Sequence, residues 1–228
     1  LDKCINILAL DTATNTCSVA LWSEGRVIAA LSENMERGQA EALAPMISAV
    51  MIEARQIIPE EFSALHAIAV TIGPGAFTGV RIGLATAKAL ALPRQLPVIG
   101  LTTFEAIGCD VDQMHQPLLL AIETKREDFY VQMFDNAGAA VMEPVALTAN
   151  EIRPLLPSEP FMVAGDGADR LISLLSAPGH DLSIVKVQAT LDAKNFVALA
   201  AKRYQQGNVG RLSPLYLRAP SVTLRTPK

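Results

Sequence analysis

The chain has 228 residues, half hydrophobic and 18% charged, which excludes a disordered protein and supplies a sizeable core. Three cysteines and three histidines, with neither CxxC nor metal-ligand spacing, exclude a zinc site and a disulfide scaffold and predict a reduced, cytoplasmic protein. The net charge of −4 is uneven: no acid follows Asp192, beyond which Lys194, Lys202, Arg203, Arg211, Arg218, Arg225 and Lys228 make seven bases, so the remainder carries −11.

In chain order, residues 5–11, 17–23 and 26–33 read as three short strands with Gly25 in the second turn. A helix is predicted over 39–55, a strand over 67–72, a helix over 78–92 and a strand over 97–101. The capping-box pair Thr102 and Glu105 opens the next helix. The order then repeats. Strands are expected at 117–123, 128–134 and 141–147, with Gly138 in a turn, and Thr148 and Glu151 cap a helix that Pro154 keeps short. A strand at 161–165, a helix at 168–175, a strand at 182–187 and a helix at 193–206 complete the chain. Both halves read βββαβαβα, an antiparallel meander followed by right-handed crossovers. The predicted fold is α/β, two-lobed and actin-like, from duplicated units with mixed sheets, the lobes spanning 1–108 and 109–228 with the basic tail on the second.

No apolar run approaches the roughly 20 residues of a membrane helix. The first strand leads straight into polar residues, without a signal-peptide pattern. The basic tail suits an anionic partner such as RNA; the alternative is a solvated helix face followed by a loose tail, because only Tyr204 and Tyr216 alternate with the bases.

Two loops are candidate phosphate sites. Gly73-Pro74-Gly75-Ala76-Phe77-Thr78-Gly79-Val80-Arg81 links a strand to a helix, where backbone N–H groups and the helix dipole favour an anion, with Gly75, Thr78 and Arg81 as contacts. Its spacing is neither the dinucleotide fingerprint nor a P-loop. The structural alternative is that the glycines let the strand turn and the helix lie close to the sheet. The other loop is the first hairpin turn, where Asp11 and Thr12 face the cleft of an actin-like fold. Ala13 stands where a phosphate-binding turn wants glycine, and the matching turn of the second lobe, 123–127, has no glycine. One half-formed loop of two argues against efficient ATP hydrolysis by this chain alone.

The strings Ile7-Leu8-Ala9-Leu10-Asp11-Thr12-Ala13-Thr14 and Gly73-Pro74-Gly75-Ala76-Phe77-Thr78-Gly79-Val80-Arg81-Ile82-Gly83, with Ile99-Gly100-Leu101-Thr102-Thr103 and Pro214-Leu215-Tyr216-Leu217-Arg218, resemble the TsaB or YeaZ family. That resemblance implies an actin-like subunit without a competent active site of its own. It implies pairing with the catalytic subunit TsaD, which threonylcarbamoylates tRNA adenosine at position 37, and with the ATPase TsaE. ATP and a metal would belong to those partners, tRNA would be met through the complex, and this chain would hold no cofactor. The second-lobe turn departs from relatives, which read Asp-Ala-Arg or similar where Glu123-Thr124-Lys125 stands. The catalytic sister carries two histidines at i, i+4 on its first long helix; the corresponding helix here has none, which removes the transferase and peptidase readings.

On a helical wheel, Leu43, Ile47, Val50 and Ala54 form an inner stripe flanked by Met46 and Met51, and Ala42, Pro45, Ala49 and Ile52 form a second, outer stripe. In the next helix Val80, Leu84, Ala87 and Ala91 share one side, and Ile82, Ala85 and Ala89 the other. An exposed isoleucine forgoes about 1.5–3 kcal/mol of burial, so these outer residues are expected to form a partner interface, or a homodimer when the partner is missing. Two alternatives stand: both helices are buried within the chain, or the protein is an actin-like ATPase or kinase acting through Asp11.

Overall fold

The computed structural model describes residues 5–111, 115–176 and 182–218; one of the three cysteines, Cys4, one of the three histidines, His180, and the bases Arg225 and Lys228 lie outside them. The first half contains β1 (Ile7–Asp11), β2 (Thr16–Ser23), β3 (Arg26–Asn34), α1 (Gln39–Glu53), β4 (Ala67–Thr71), α2 (Phe77–Ala91), β5 (Val98–Leu101) and α3 (Thr103–Gly108). The second contains β6 (Leu118–Glu123), β7 (Asp128–Phe134), β8 (Val145–Thr148), α4 (Ala149–Ile152), β9 (Phe161–Ala164), α5 (Ala168–Leu175), β10 (Ile184–Lys186) and α6 (Ala193–Gln205). The repeated βββαβαβα order is present. Each half builds one five-stranded mixed sheet, β3-β2-β1-β4-β5 and β8-β7-β6-β9-β10, with the meander antiparallel and the crossover strands parallel. This is the duplicated actin-like arrangement.

Central strands covered on both faces read as continuous apolar runs. All five residues of β1 are buried. In β6 the alternation divides two cores: Leu118, Leu120 and Ile122 join the core that spans both sheets, whereas Leu119 and Ala121 pack with Phe129, Phe161 and Leu171 in a second core. Both capping boxes form. The Thr102 hydroxyl accepts from the Glu105 N–H at 3.1 Å while Glu105 accepts from the Thr102 N–H at 2.8 Å, and Thr148 and Glu151 repeat the pattern.

Two expectations are corrected. The strand expected from 141 begins at Val145: Val141 still donates to the Met133 carbonyl but is exposed, and Pro144, which has no N–H to give the ladder, precedes the first paired residue. The lobes at 1–108 and 109–228 fit the sheets but not the helices. Helix α6 packs on β1, β2 and β3 of the first sheet, where Ala193, Phe196, Val197 and Ala200 are fully buried. The physical reason is coverage: α1 and α2 shield one face of the first sheet, and the opposite face needs α6. Helix α3 in turn touches β6 and α6. The halves therefore share a core.

The segment after α6 returns along the edge strand β5, where the Gly100 N–H donates to the Val209 carbonyl at 3.0 Å and Arg203 donates to the Gly100 carbonyl at 3.0 Å. It then crosses the end of β4, with the Leu215 N–H donating to the Ile72 carbonyl at 2.7 Å, and reaches the second lobe as Arg218 pairs with the buried Asp128.

Candidate functional site

A cleft of 790 Å³ opens between the lobes. The first lobe lines it with 13–15 from the hairpin turn, 38–41 from the start of α1 and 75–79 from the start of α2. The second lobe contributes the turn 123–126, Tyr130 and Asp166, and the returning segment adds Leu215, Tyr216 and Arg218.

Of the five residues expected to contact a nucleotide or anion, Gly75 and Thr78 line this cleft and Asp11, Thr12 and Arg81 do not. Asp11 is fully buried beneath the turn, its Oδ1 accepting from the Thr71 hydroxyl and from the Ala13 N–H. Its Oδ2 is buried without a hydrogen-bond partner. Burial pushes the carboxyl up to about 7 against the opposing bonds from Thr71 and Ala13. Thr12, also buried, donates its hydroxyl to the Gly79 carbonyl at 2.7 Å. Arg81 is exposed and lies over the Phe77 ring, its Cζ 3.7 Å from the centroid.

The glycine-rich loop is a packing device. A Cβ on Gly75 would collide with the Ala13 carbonyl, and one on Gly79 with the Thr12 carbonyl. The Ala76 N–H, at the start of α2, donates to the Ala13 carbonyl at 2.7 Å. The first hairpin turn is thus clamped against α2, and its carbonyl oxygens occupy the approach that a phosphate would need.

The second-lobe turn is occupied by the chain's own carboxylates. The Glu123 N–H donates to Asp166 Oδ1 at 2.8 Å, and the Lys125 N–H donates to Glu123 Oε1 at 2.7 Å. Arg170 holds Glu123 through two bonds of 2.7 Å, donates to the Asp128 carbonyl and lies over the Phe129 ring. Burial alone would raise the Glu123 carboxyl, but the bonds from Arg170 and the Lys125 N–H outweigh it and hold it below its usual value. Asp166 is pushed up, burial exceeding the effect of the Glu123 N–H. Backbone donors that would cradle a phosphate are already satisfied by anions. Among the described residues no group of three or more His, Cys, Asp or Glu could hold a metal ion.

The outer stripes of α1 and α2 are open. Pro45, Ala49, Ile52, Ala85 and Ala89 are exposed, and the inner stripes of both helices are buried. Ile52 exposes 60% of its surface. Ala42 and Ile82 are half-buried against the core, so they form the edge of this face rather than its centre. The sequence reading missed three exposed residues: Phe77 and Leu92 at the two ends of α2, Leu92 at 76%, and Tyr216 on the returning segment. The i, i+4 row from Phe77 through Arg81, Ala85 and Ala89 was a signal for Phe77; nothing local in the sequence links Tyr216 to it.

Most of the basic tail is tied down. Arg203 pairs with Glu105, Lys194 with Asp192 and Arg218 with Asp128, and Arg211 donates to the Ser213 hydroxyl. These four bases are held by the chain's own groups, so the described part of this segment is not the loose tail expected as the alternative. No helix among the described residues is long and apolar enough to cross a membrane.

The family model described as TsaD: tRNA N6-adenosine threonylcarbamoyltransferase matches residues 31–165, more than half of the chain. The tRNA threonylcarbamoyladenosine biosynthesis protein TsaB of Escherichia coli K12 is 41% identical over 99 residues, covering 43% of this chain and 41% of that protein. The TsaB protein of Bacillus subtilis 168 is 25% identical over 205 residues, covering 87% and 82%. A crystal structure of a Pseudomonas aeruginosa protein described as similar to peptidase YEAZ superposes with a TM-score of 0.78 at 25% identity, covering 94% of this chain and 100% of that one. The chain spans about half the length of several of the curated relatives it matches.

Proposed function

Since the chain belongs to the TsaB (YeaZ) family, within reach of the threonylcarbamoyltransferase family model it matches, we propose that it is a non-catalytic subunit in threonylcarbamoylation of tRNA adenosine. In this reading it docks the catalytic TsaD subunit through the outer faces of α1 and α2 and performs no turnover of its own. TsaE and tRNA join through the assembled complex.

The observation that carries this reading is the uncovered apolar face of two adjacent helices. Covering Ile52 and Leu92 stabilises an association by about 1–2 kcal/mol for each, and the alanines allow close helix approach. The matched residues 31–165 include α1 and α2, so the likeness to the transferase family model extends over this helix pair. Two such pairs can pack face to face, as related subunits commonly do. The plugged turns support the absence of turnover, because a phosphate would have to displace Asp166 and Glu123 from backbone donors.

Size-exclusion chromatography of the purified chain with its cognate transferase subunit tests the proposal. Co-elution at micromolar concentration is expected, and independent elution of the two proteins would overturn it.

A further inference from the structure

Two side chains of α2 and one from the returning segment meet at the rim of the cleft, beside the docking face. The Phe77 and Tyr216 rings lie 5.1 Å apart, centroid to centroid, and the Arg81 guanidinium lies over Phe77 while its Nε donates to the Tyr216 hydroxyl at 2.8 Å. Phe77 remains 39% exposed and Tyr216 41%. Phe77 and Arg81 belong to the exposed i, i+4 row that continues into Ala85 and Ala89, so the aromatic cluster and the alanine face form one surface.

We propose that Tyr216, braced by Phe77 and Arg81, is an anchor for the same partner, and that the docking face is therefore a composite of α1, α2 and the C-terminal strap 209–218. The inference rests on the docking reading given above and adds to it the residues that contribute most of the affinity. The occupant is the homologous transferase subunit, because the cluster is continuous with the face assigned to it.

Three physical arguments favour an anchor here over the alanine stripe alone. Tyrosine and arginine dominate binding energy at protein interfaces, and tyrosine brings large contact area with little rotamer entropy to lose. The ring and the guanidinium are already held in place, so little ordering cost is left for docking. The strap is fixed on both sides of Tyr216: the neighbouring Leu215 bonds to Ile72, and Arg218 pairs with Asp128 on the second lobe. A loose tail would not need such bracing.

Binding of the cognate transferase subunit to Tyr216→Ala, Phe77→Ala and Ile52→Asp chains, measured by calorimetry, tests the inference. Tyr216→Ala and Phe77→Ala are each expected to weaken binding about tenfold or more with the melting temperature of the free chain unchanged. If Ile52→Asp weakens binding and the other two stay within twofold, the anchor is overturned and the docking face stands. If Ile52→Asp also leaves binding intact, the docking face itself falls. Unchanged partner affinity with loss of tRNA binding by the assembled complex would make the cluster an RNA contact and overturn the inference. Hydrogen exchange on the unmodified chain gives a readout that no mutant misfolding can obscure. Amides 212–217 are expected to slow on addition of the transferase, and unchanged exchange overturns the anchor.

Discussion

Thr12 and Gly79 are locked together from both directions: the Thr12 hydroxyl donates to the Gly79 carbonyl, and the Thr12 carbonyl fills the space a Cβ on Gly79 would need. Gly79→Ala must therefore push the first hairpin away from α2, a backbone displacement expected to cost about 2–3 kcal/mol. Gly108 closes α3 with open space where its Cβ would lie. Gly108→Ala is expected to be neutral or to stabilise by up to about 1 kcal/mol. Urea denaturation midpoints of the two variants check the contrast.

On α1, Ile47 and Ile52 point to opposite sides, one buried and the other open. Ile47→Asp is expected to unfold the chain by placing a carboxylate in the core. Ile52→Asp and Leu92→Asp are expected to leave the melting temperature within about 2 °C, corresponding to surface changes of less than about 0.5 kcal/mol, while abolishing co-elution with the transferase.

Asp11 makes stability depend on pH. Its folded value near 7 lies above the ordinary 3.8, so the folded chain keeps a proton that the unfolded chain releases. The stability this confers is fully present below about pH 4, falls as pH rises, and is gone above about pH 7, where a charge must be buried. Asp192 faces Asp11 and adds repulsion, though less than burial does. Asp11→Asn removes the titration. Its stability relative to the parent chain is expected to rise from pH 4 to pH 7 and then level off, in thermal melts across that range. The same variant is expected to release phosphate from ATP no differently from the parent.

Arg170 holds the second-lobe turn shut. Arg170→Ala is expected to cost about 1–2 kcal/mol, a modest figure because the pair is partly solvated. The Glu123 carboxyl lies below its usual value, so the stability from this pair is present above about pH 4.5 and is lost as pH falls through the folded value. The difference between variant and parent should accordingly shrink in acid, which denaturation at pH 3 and pH 7 compares.

Local features were legible in the sequence and long-range ones were not. The two capping boxes, the Gly25 turn and the in–out division of α1 follow from residues at most a few turns apart, and each has the expected geometry. Helix α6 has an apolar side that periodicity detects, but periodicity does not say which sheet will receive it. Asp11 reads as a cleft residue until α2 is seen pressed against its turn, leaving the carboxylate below the surface. Tyr216 meets Arg81 across 135 positions, a distance over which a single sequence carries no pattern. The carboxylate plug was hidden similarly: the absence of glycine from 123–127 was plain, yet Asp166 as the occupant of the Glu123 N–H came only with the fold.

Placing α6 on the first sheet also governs how the protein is made. A ribosome that has released residues 1–108 has produced five strands whose second face is bare, and the helix that covers it emerges only after all the strands of the second sheet. Nascent chains must carry that greasy surface until α6 emerges, an interval in which chaperones would bind. A gene fragment ending before residue 193 should yield insoluble protein rather than a working half.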